Sequence, residues 1–290
     1  MSRKQVVIVG GGFAGIAAAK ALRRAPVDVT LVDRSNHFVF QPLLYQVATG
    51  ALAPSDIAVP IRWVLRSVKN VTVLLGAVAE IRPDESEVRL ADGTTLPYDY
   101  LIVAAGSRHA YFGHDAWEPM APGLKTLEDA IEVRSRFLSA FERAEGCADE
   151  AARAELLTIV IVGGGPTGVE LAGIMGSIAR KALRGDFRRI DPARARIVLL
   201  EGGPRLVPGF REHLSEHALR DLRALGVEVR LNSAVTQVTE DAVFLGEERI
   251  STRTVFWAAG NRGSSLSSAF AGHVDRAGHV LVQPDLSVPG

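Results

Sequence analysis

The sequence predicts an α/β protein made of two Rossmann-like dinucleotide-binding domains, the second inserted in the first, and three observations carry that reading. A strand, a turn with three spaced glycines and a helix are written twice, as QVVIVGGGFAGIAAAK from Gln5 to Lys20 and as TIVIVGGGPTGVELAG from Thr158 to Gly173. Each copy leads to a second apolar strand that ends in an acid, Asp33 in VTLVD and Glu201 in RIVLLE. Each then passes through alternating segments to an Ala-Ala-Gly turn, Ala104, Ala105 and Gly106 in the first copy and Ala258, Ala259 and Gly260 in the second, at nearly the same distance from its first glycine.

The elements follow in order. Val6 to Val9 is an apolar run of the kind that fills a buried parallel strand, and from Ile16 the chain is Ala- and Leu-rich, which favours helix. Between them Gly10 makes the tight turn, Gly12 lets a pyrophosphate approach the backbone, and Gly15 lets helix pack on strand. The phosphates are then expected at the helix N-terminus, beside Phe13 and Ala14, where unpaired N–H groups and the dipole favour an anion. Asp33 would accept hydrogen bonds from a ribose. In the second copy Gly163, Gly165 and Gly168 take the three tasks, Pro166 suits the first helical turn beside Thr167, and Glu201 is the ribose acid. The polar loop GDFRRIDPARA delays that acid. The competing reading, glycines that serve packing alone, is weakened by two complete copies.

Past each acid the repetition continues, as VTVLLGAVAEI then EVRLADGTTLPYDYLIVAAG, and as VEVRLNSAVTQV then AVFLGEERISTRTVFWAAG. These alternate like half-exposed strands, and Asp92-Gly93 reads as a hairpin turn. The expected organisation is a first domain over 1–112, a linker over 113–156, a second domain over 157–254, and an incomplete return to the first over 255–290. The linker carries Pro119, Pro122 and a charged, helix-periodic stretch from Leu127 to Arg143, expected as a crossover helix with a solvated charged face.

Composition narrows the function. The 290 residues carry 33 basic and 33 acidic side chains, and no Lys/Arg-rich run stands out, so nucleic acid is not an expected partner. The first apolar segment contains the Gly10 to Gly15 turn and reads as fold, not as a signal peptide. Thr158 to Ala179 is broken by glycines, Pro166 and Glu170, and reads as strand plus helix instead of a membrane span. The one cysteine, Cys147, gives neither a disulfide framework nor a redox pair beside a flavin, and fits a reducing cytosolic context. His213 and His217 lack a third neighbouring ligand, so no metal site is expected. Two dinucleotide sites on one chain suggest a flavin in one and a nicotinamide in the other; the cofactors then carry the chemistry, and no acid–base dyad is needed.

The stretches VIVGGGFAG, LVDRSNHFVFQPLLYQVATG, YDYLIVAAGSRHAYFGHDAWEPMAPGLKTLEDA, IVIVGGGPTGVELAG and VFWAAGN resemble the type II, non-proton-pumping NADH:quinone oxidoreductases of the two-dinucleotide flavoprotein superfamily. The resemblance runs along nearly the whole chain. It implies FAD in the first domain, NADH in the second, a quinone as electron acceptor, and a homodimer. It also places Gln41 to Gly50 near the flavin and the quinone entrance, with Gln41 and Tyr45 as its polar members; the other reading of that segment is a buried loop at the domain junction. Glu170 would stand by the nicotinamide–flavin junction, or would only complement its helix dipole. Glu170, Gln41 and Tyr45 are thus the candidate catalytic residues, and the Ala104 to Ser107 and Ala258 to Asn261 turns would pass close to FAD.

Two departures qualify the likeness. Many members carry a further Glu along the Glu170 helix, where this chain has Ile174 and Ser177. Members also continue past Gly290 into a membrane anchor, so the chain reads as a truncated member whose full-length form would lie on the cytoplasmic face of the inner membrane. Two other readings stay open: a reductase of a small iron–sulfur protein, and a nucleotide-binding fragment without turnover.

Overall fold

A computed structural model describes residues 3–270 and 272–289. The chain divides into two compact units, one of Met1–Phe40, Ser55–Arg108 and Asn261–Gly290, the other of Gln41–Pro54 and His109–Gly260.

The first unit opens with β1 (Lys4–Val9), α1 (Phe13–Ala21), β2 (Val27–Asp33) and β3 (His37–Val39). The chain then leaves for the second unit, where it forms α2 (Leu44–Val47), and returns through α3 (Pro54–Ile57), β4 (Ala58–Pro60), which pairs antiparallel with β3, and α4 (Ile61–Val64). Next come β5 (Val71–Leu75), an antiparallel meander of β6 (Val78–Arg82), β7 (Glu87–Leu90) and β8 (Thr95–Pro97), and β9 (Tyr100–Val103). The central sheet is parallel in the order β5-β2-β1-β9, with Ile8 opposite both Leu31 and Ile102. Successive strand residues face opposite sides, so β1 supplies two cores. Val6 and Ile8 pack with Ile16, Leu31 and Ile61 on one face, while Val7 and Val9 pack with Val32, Ile81 and Val88 on the other. Covering both faces is why the strand reads as a continuous apolar run.

The second unit repeats this plan. After β10 (Ser107–His109), with which the chain passes out of the first unit, come the helices α5 (Leu127–Gly146) and α6 (Glu150–Leu156), then β11 (Thr158–Val162), α7 (Pro166–Ser177), β12 (Arg196–Leu200), α8 (Glu212–Ala224) and β13 (Val227–Arg230). A meander of β14 (Gln237–Val238), β15 (Ala242–Leu245) and β16 (Glu248–Ser251) precedes β17 (Thr254–Trp257). The sheet order β13-β12-β11-β17 is the counterpart of the first, strand for strand.

The fourth strands differ. In β9 Tyr100 is 59% exposed and Val103 38%, whereas all four residues of β17 are buried. The cover of β17 comes from the stretch expected as a linker and from Tyr111 just before it. Trp257 donates its backbone N–H to the Pro122 carbonyl at 2.9 Å, Gly123 bridges to Trp257 in parallel, Tyr111 stacks on the Trp257 ring and Trp117 meets it edge-on. Helix α5 begins with a capping box between Thr126 and Asp129 and buries Ala130, Val133, Phe137, Ala140, Phe141 and Ala144. Its start and its solvated charged face follow from the sequence pattern, but its apolar stripe belongs to the second unit's core and does not serve a free crossover. Residues 109–156 therefore count with the second unit, and so does the stretch Gln41–Pro54, taken in the sequence as part of the first domain.

Candidate functional site

Each unit presents a glycine turn at the carboxyl end of its first strand, where open α/β sheets bind ligands. Gly10 reverses the chain with φ of +105° and Gly163 with +109°; a Cβ on Gly10 would run into the Ala104 carbonyl, and one on Gly163 into the backbone of Ala258 and Ala259. Gly15 and Gly168 let helix lie on turn, since a side chain there would overlap the carbonyl oxygens of Gly10 and Gly163. At Gly12 and Gly165 nothing lies within 4 Å of the Cβ position, so the turn is open on that side alone. These two residues cap α1 and α7, neither helix has an acid in its first turn, and neither cap makes a side-chain bond. The result is a cradle of unpaired N–H groups at a positive helix end, which suits a pyrophosphate.

The strand-end acids are tied into the turns. Asp33 accepts the N–H of Gly11 at 2.5 Å and that of Ser35 at 2.6 Å; Glu201 accepts those of Gly164 and Gly203, each at 2.6 Å. Each carboxylate oxygen so engaged retains a lone pair for a ribose hydroxyl. The middle glycines matter as much as the spaced three, a point the spacing motif leaves out: a Cβ on Gly164 would press on Leu206 and Glu201, and one on Gly11 on Ile61 and Asp33.

In the first unit the turn opens on a cleft of about 170 Å³ that Gly10, Asp33 and Ala105 line together with Arg34, Val78 and Arg108. The first three are expected from the glycine-turn pattern; Arg34, Val78 and Arg108 are not. Arg34 stands next to Asp33 and Arg108 two residues past Gly106, but Val78 is brought in only by the fold, where the Gly76 N–H joins the end of β5 to the Asp33 carbonyl at 2.8 Å. Ala104 is bonded to Val9 at 2.8 Å and Gly106 has φ of +69°; Phe13 and Ala14 are exposed, and the Phe13 ring meets Phe38 and Phe40 edge-on at 5.0 and 5.6 Å.

In the second unit Ala258 bonds to Val162 at 2.7 Å, repeating Ala104, and Gly260 has φ of +71°. Pro166 is the first residue of α7, with Thr167 after it. Arg205, four residues past Glu201, spends its guanidinium on its own loop: it donates to the carbonyls of Pro208 at 2.6 Å and Phe210 at 2.9 Å, and to the buried Ser215 hydroxyl at 3.1 Å.

The three candidate catalytic residues all fall in the second unit. Helix α2, which holds Tyr45, packs on α5 and on α7, which holds Glu170. Leu44, Val47, Ala48 and Thr49 are buried, Tyr45 is half-buried with its hydroxyl bonded by Gln46 at 3.1 Å, and Gln41 is exposed and donates to the Lys125 carbonyl at 3.2 Å. Glu170 is the fifth residue of α7, beyond the first turn where an acid best offsets the dipole, and partial desolvation raises its carboxyl above the usual range. Lys125 is lowered from the usual lysine range, again by desolvation.

Comparison with known proteins places this arrangement among relatives. The model of the family described as pyridine nucleotide-disulphide oxidoreductase matches residues 4–289. The type II NADH:quinone oxidoreductase NdhA of Mycobacterium tuberculosis is 46% identical over 99% of this chain, and the chain spans 64% of that relative's length. The type II NADH:quinone oxidoreductase of Haemophilus influenzae is 30% identical over 98% of the chain and 70% of the relative. Among solved structures, NDH2 of Plasmodium falciparum in complex with NADH superposes with a TM-score of 0.87 over 97% of this chain and 60% of its own, at 23% identity.

Proposed function

We propose, from the premise that the chain belongs to the pyridine nucleotide-disulphide oxidoreductase family, that it is the two-nucleotide part of an NADH:quinone oxidoreductase, with FAD held by the first unit and NADH by the second. The observation that carries this reading is the repeated clamp, Asp33 on Gly11 and Glu201 on Gly164, at two open glycine cradles. The names of the M. tuberculosis and H. influenzae relatives supply the nicotinamide and the quinone.

The residues fit the cofactors they would hold. Gly10 to Gly15 form a phosphate cradle, Asp33 would accept the FAD ribose hydroxyls, and Arg34 and Arg108 bring positive charge to the same cleft. Gly163 to Gly168 repeat the cradle for NADH, and Glu201 would hold its adenosine ribose while disfavouring a 2′-phosphate. Arg205 is withheld from that phosphate by Pro208, Phe210 and Ser215, which strengthens the case for NADH over NADPH. The FAD that Gly10 to Gly15 and Asp33 would hold would supply a hydride acceptor able to release electrons singly or in pairs. The single cysteine of these 290 residues provides no dithiol to relay them. Gln41 and Tyr45, on the segment packed against α5 and α7, are the candidates for positioning the acceptor, and Glu170 for tuning the nicotinamide end. Among the described residues no helix is long and apolar enough to cross a membrane.

The test is spectroscopic. The purified chain, reconstituted with FAD, should show a bound-flavin spectrum that NADH bleaches and a soluble quinone restores. A chain that binds NADH with no flavin, or a flavin that NADH leaves oxidised, would refute the proposal.

A further inference from the structure

The second unit carries a cleft of about 300 Å³ at the opposite edge of its sheet from the glycine turn. Thr158 and Arg196, which line it, open β11 and β12, whereas the Gly163 turn follows the end of β11. Five strand residues separate the two, roughly 16 Å at strand rise. Arg153, Arg189, Arg194 and Arg196 converge on this cleft, against the carboxylates of Glu150 and Asp191. The surrounding stretch from Arg180 to Arg196 holds seven basic residues and two acids in a chain that is neutral overall.

The arginines differ in how they are held. Arg153 donates twice to the Cys147 carbonyl, at 2.5 and 3.1 Å, and Arg196 grips Glu228 with two bonds at 2.7 and 2.9 Å. Arg189 and Arg194 make no side-chain hydrogen bond or ion pair among the described residues, and both are exposed. The loop beneath them is braced nonetheless. Glu145 accepts the backbone N–H groups of Arg188, Arg189 and Ile190 at 2.9 to 3.1 Å, and Asp191 caps the turn that leads to Arg194 by accepting from Ala193 at 3.0 Å. Two guanidiniums are therefore held by hydrogen bonds and two make none, on a loop whose backbone is braced by Glu145 and Asp191. Clustering like charges costs stability; the Arg189 charge favours the ionised Glu145 that braces the loop, while Arg194 has no such partner among the described residues.

We infer that this cleft binds a phosphate-bearing anion, at a site separate from the dinucleotide cradle of the same unit. Guanidinium forks match phosphate oxygens in geometry and charge, and the apolar lining by Leu157 and Ile190 leaves room for an organic stem. The charge could be met by a free phosphate compound or by an anionic lipid headgroup. Asp191 and Glu150 would oppose the anion, so neutralising Glu150 should tighten it.

The experiment titrates the full chain with sodium pyrophosphate by calorimetry at low and moderate salt, and separately floats it with phosphatidylcholine vesicles with and without phosphatidylglycerol. Wild type is expected to bind pyrophosphate saturably, or the anionic vesicles selectively; the first outcome assigns a soluble ligand and the second a headgroup. The double variant Arg189→Gln/Arg194→Gln, whose changed side chains bear no structural bonds, should weaken whichever is seen by roughly tenfold or more, and Glu150→Gln should strengthen it. NADH affinity should be the same in all forms. Absence of both interactions, or equal binding by wild type and the double variant, would overturn the inference.

Discussion

Glu201 holds the backbone N–H of Gly164 at 2.6 Å, so the acid expected to select the nucleotide also shapes the turn that would cradle its phosphates. Replacing it with Gln keeps a hydrogen-bonding side chain but removes the charge. Loss of charge-assisted bonds to the ribose, each about 1.5–3 kcal/mol, should weaken NADH binding by roughly ten- to a hundredfold or more and narrow the preference over NADPH. Nucleotide titrations with both cofactors check this, and an unchanged NADH Kd would show that Glu201 serves the turn alone.

Asp33 plays the corresponding part in the first unit, through Gly11 and Ser35. Asp33→Ala should lower bound flavin per protein while leaving the NADH Kd within about twofold, since the two clamps share no hydrogen-bond partner. Weakened NADH binding with full flavin loading would reverse the assignment of the two cofactors.

Ser215 is buried and takes one of the three hydrogen bonds that occupy Arg205. Ser215→Ala should loosen the guanidinium, leave Glu201 in place, and shift the NADPH to NADH affinity ratio toward NADPH by up to roughly tenfold. A ratio identical to wild type would show that the carbonyls of Pro208 and Phe210 hold Arg205 unaided.

Asp129 gives a pH signature. Burial alone would raise its carboxyl, but the neighbouring His109 ring and the N–H groups of Thr126 and Lys125 outweigh that and hold it below the usual aspartate range. With the folded value below the unfolded one, about 3.9, its contribution is present above that pH and is lost as pH falls through the folded value. Asp129→Ala should therefore cost about 0.5–2 kcal/mol at pH 7 through the lost cap, with the gap to wild type closing as the pH drops below about 3.9. Urea midpoints for both proteins at pH 7 and pH 3 measure it; a gap that stays constant would contradict the sign.

Strands β9 and β17 are equivalent in topology but differently covered, and amide exchange should tell them apart. Peptides spanning Tyr100 to Val103 should exchange ahead of those spanning Thr254 to Trp257, because β17 is sealed by Gly123, Tyr111 and α5 while β9 leaves Tyr100 and Val103 exposed. Equal protection would mean that the two sheets open together.

The sequence by itself determined the two-turn architecture. Strand, glycine turn, helix and strand-end acid are local patterns, with periods of 2 and 3.6 and spacings set by the backbone, so Gly10 with Asp33 and Gly163 with Glu201 are legible in the text. The start of α5 is legible for the same reason, through Thr126 and Asp129 three residues apart. Only the tertiary structure decided what depends on contacts between residues far apart in the chain. It assigned Gln41–Pro54 and residues 109–156 to the second unit, because burial of Trp257 and of the α5 stripe rewards packing that no local pattern encodes. It gave the middle glycines their task, since only the fold brings Asp33 to Gly11 and Glu201 to Gly164. Likewise Arg153, Arg189, Arg194 and Arg196 read as scattered surface charges until the pairing of β11 with β12 turns them toward one cleft.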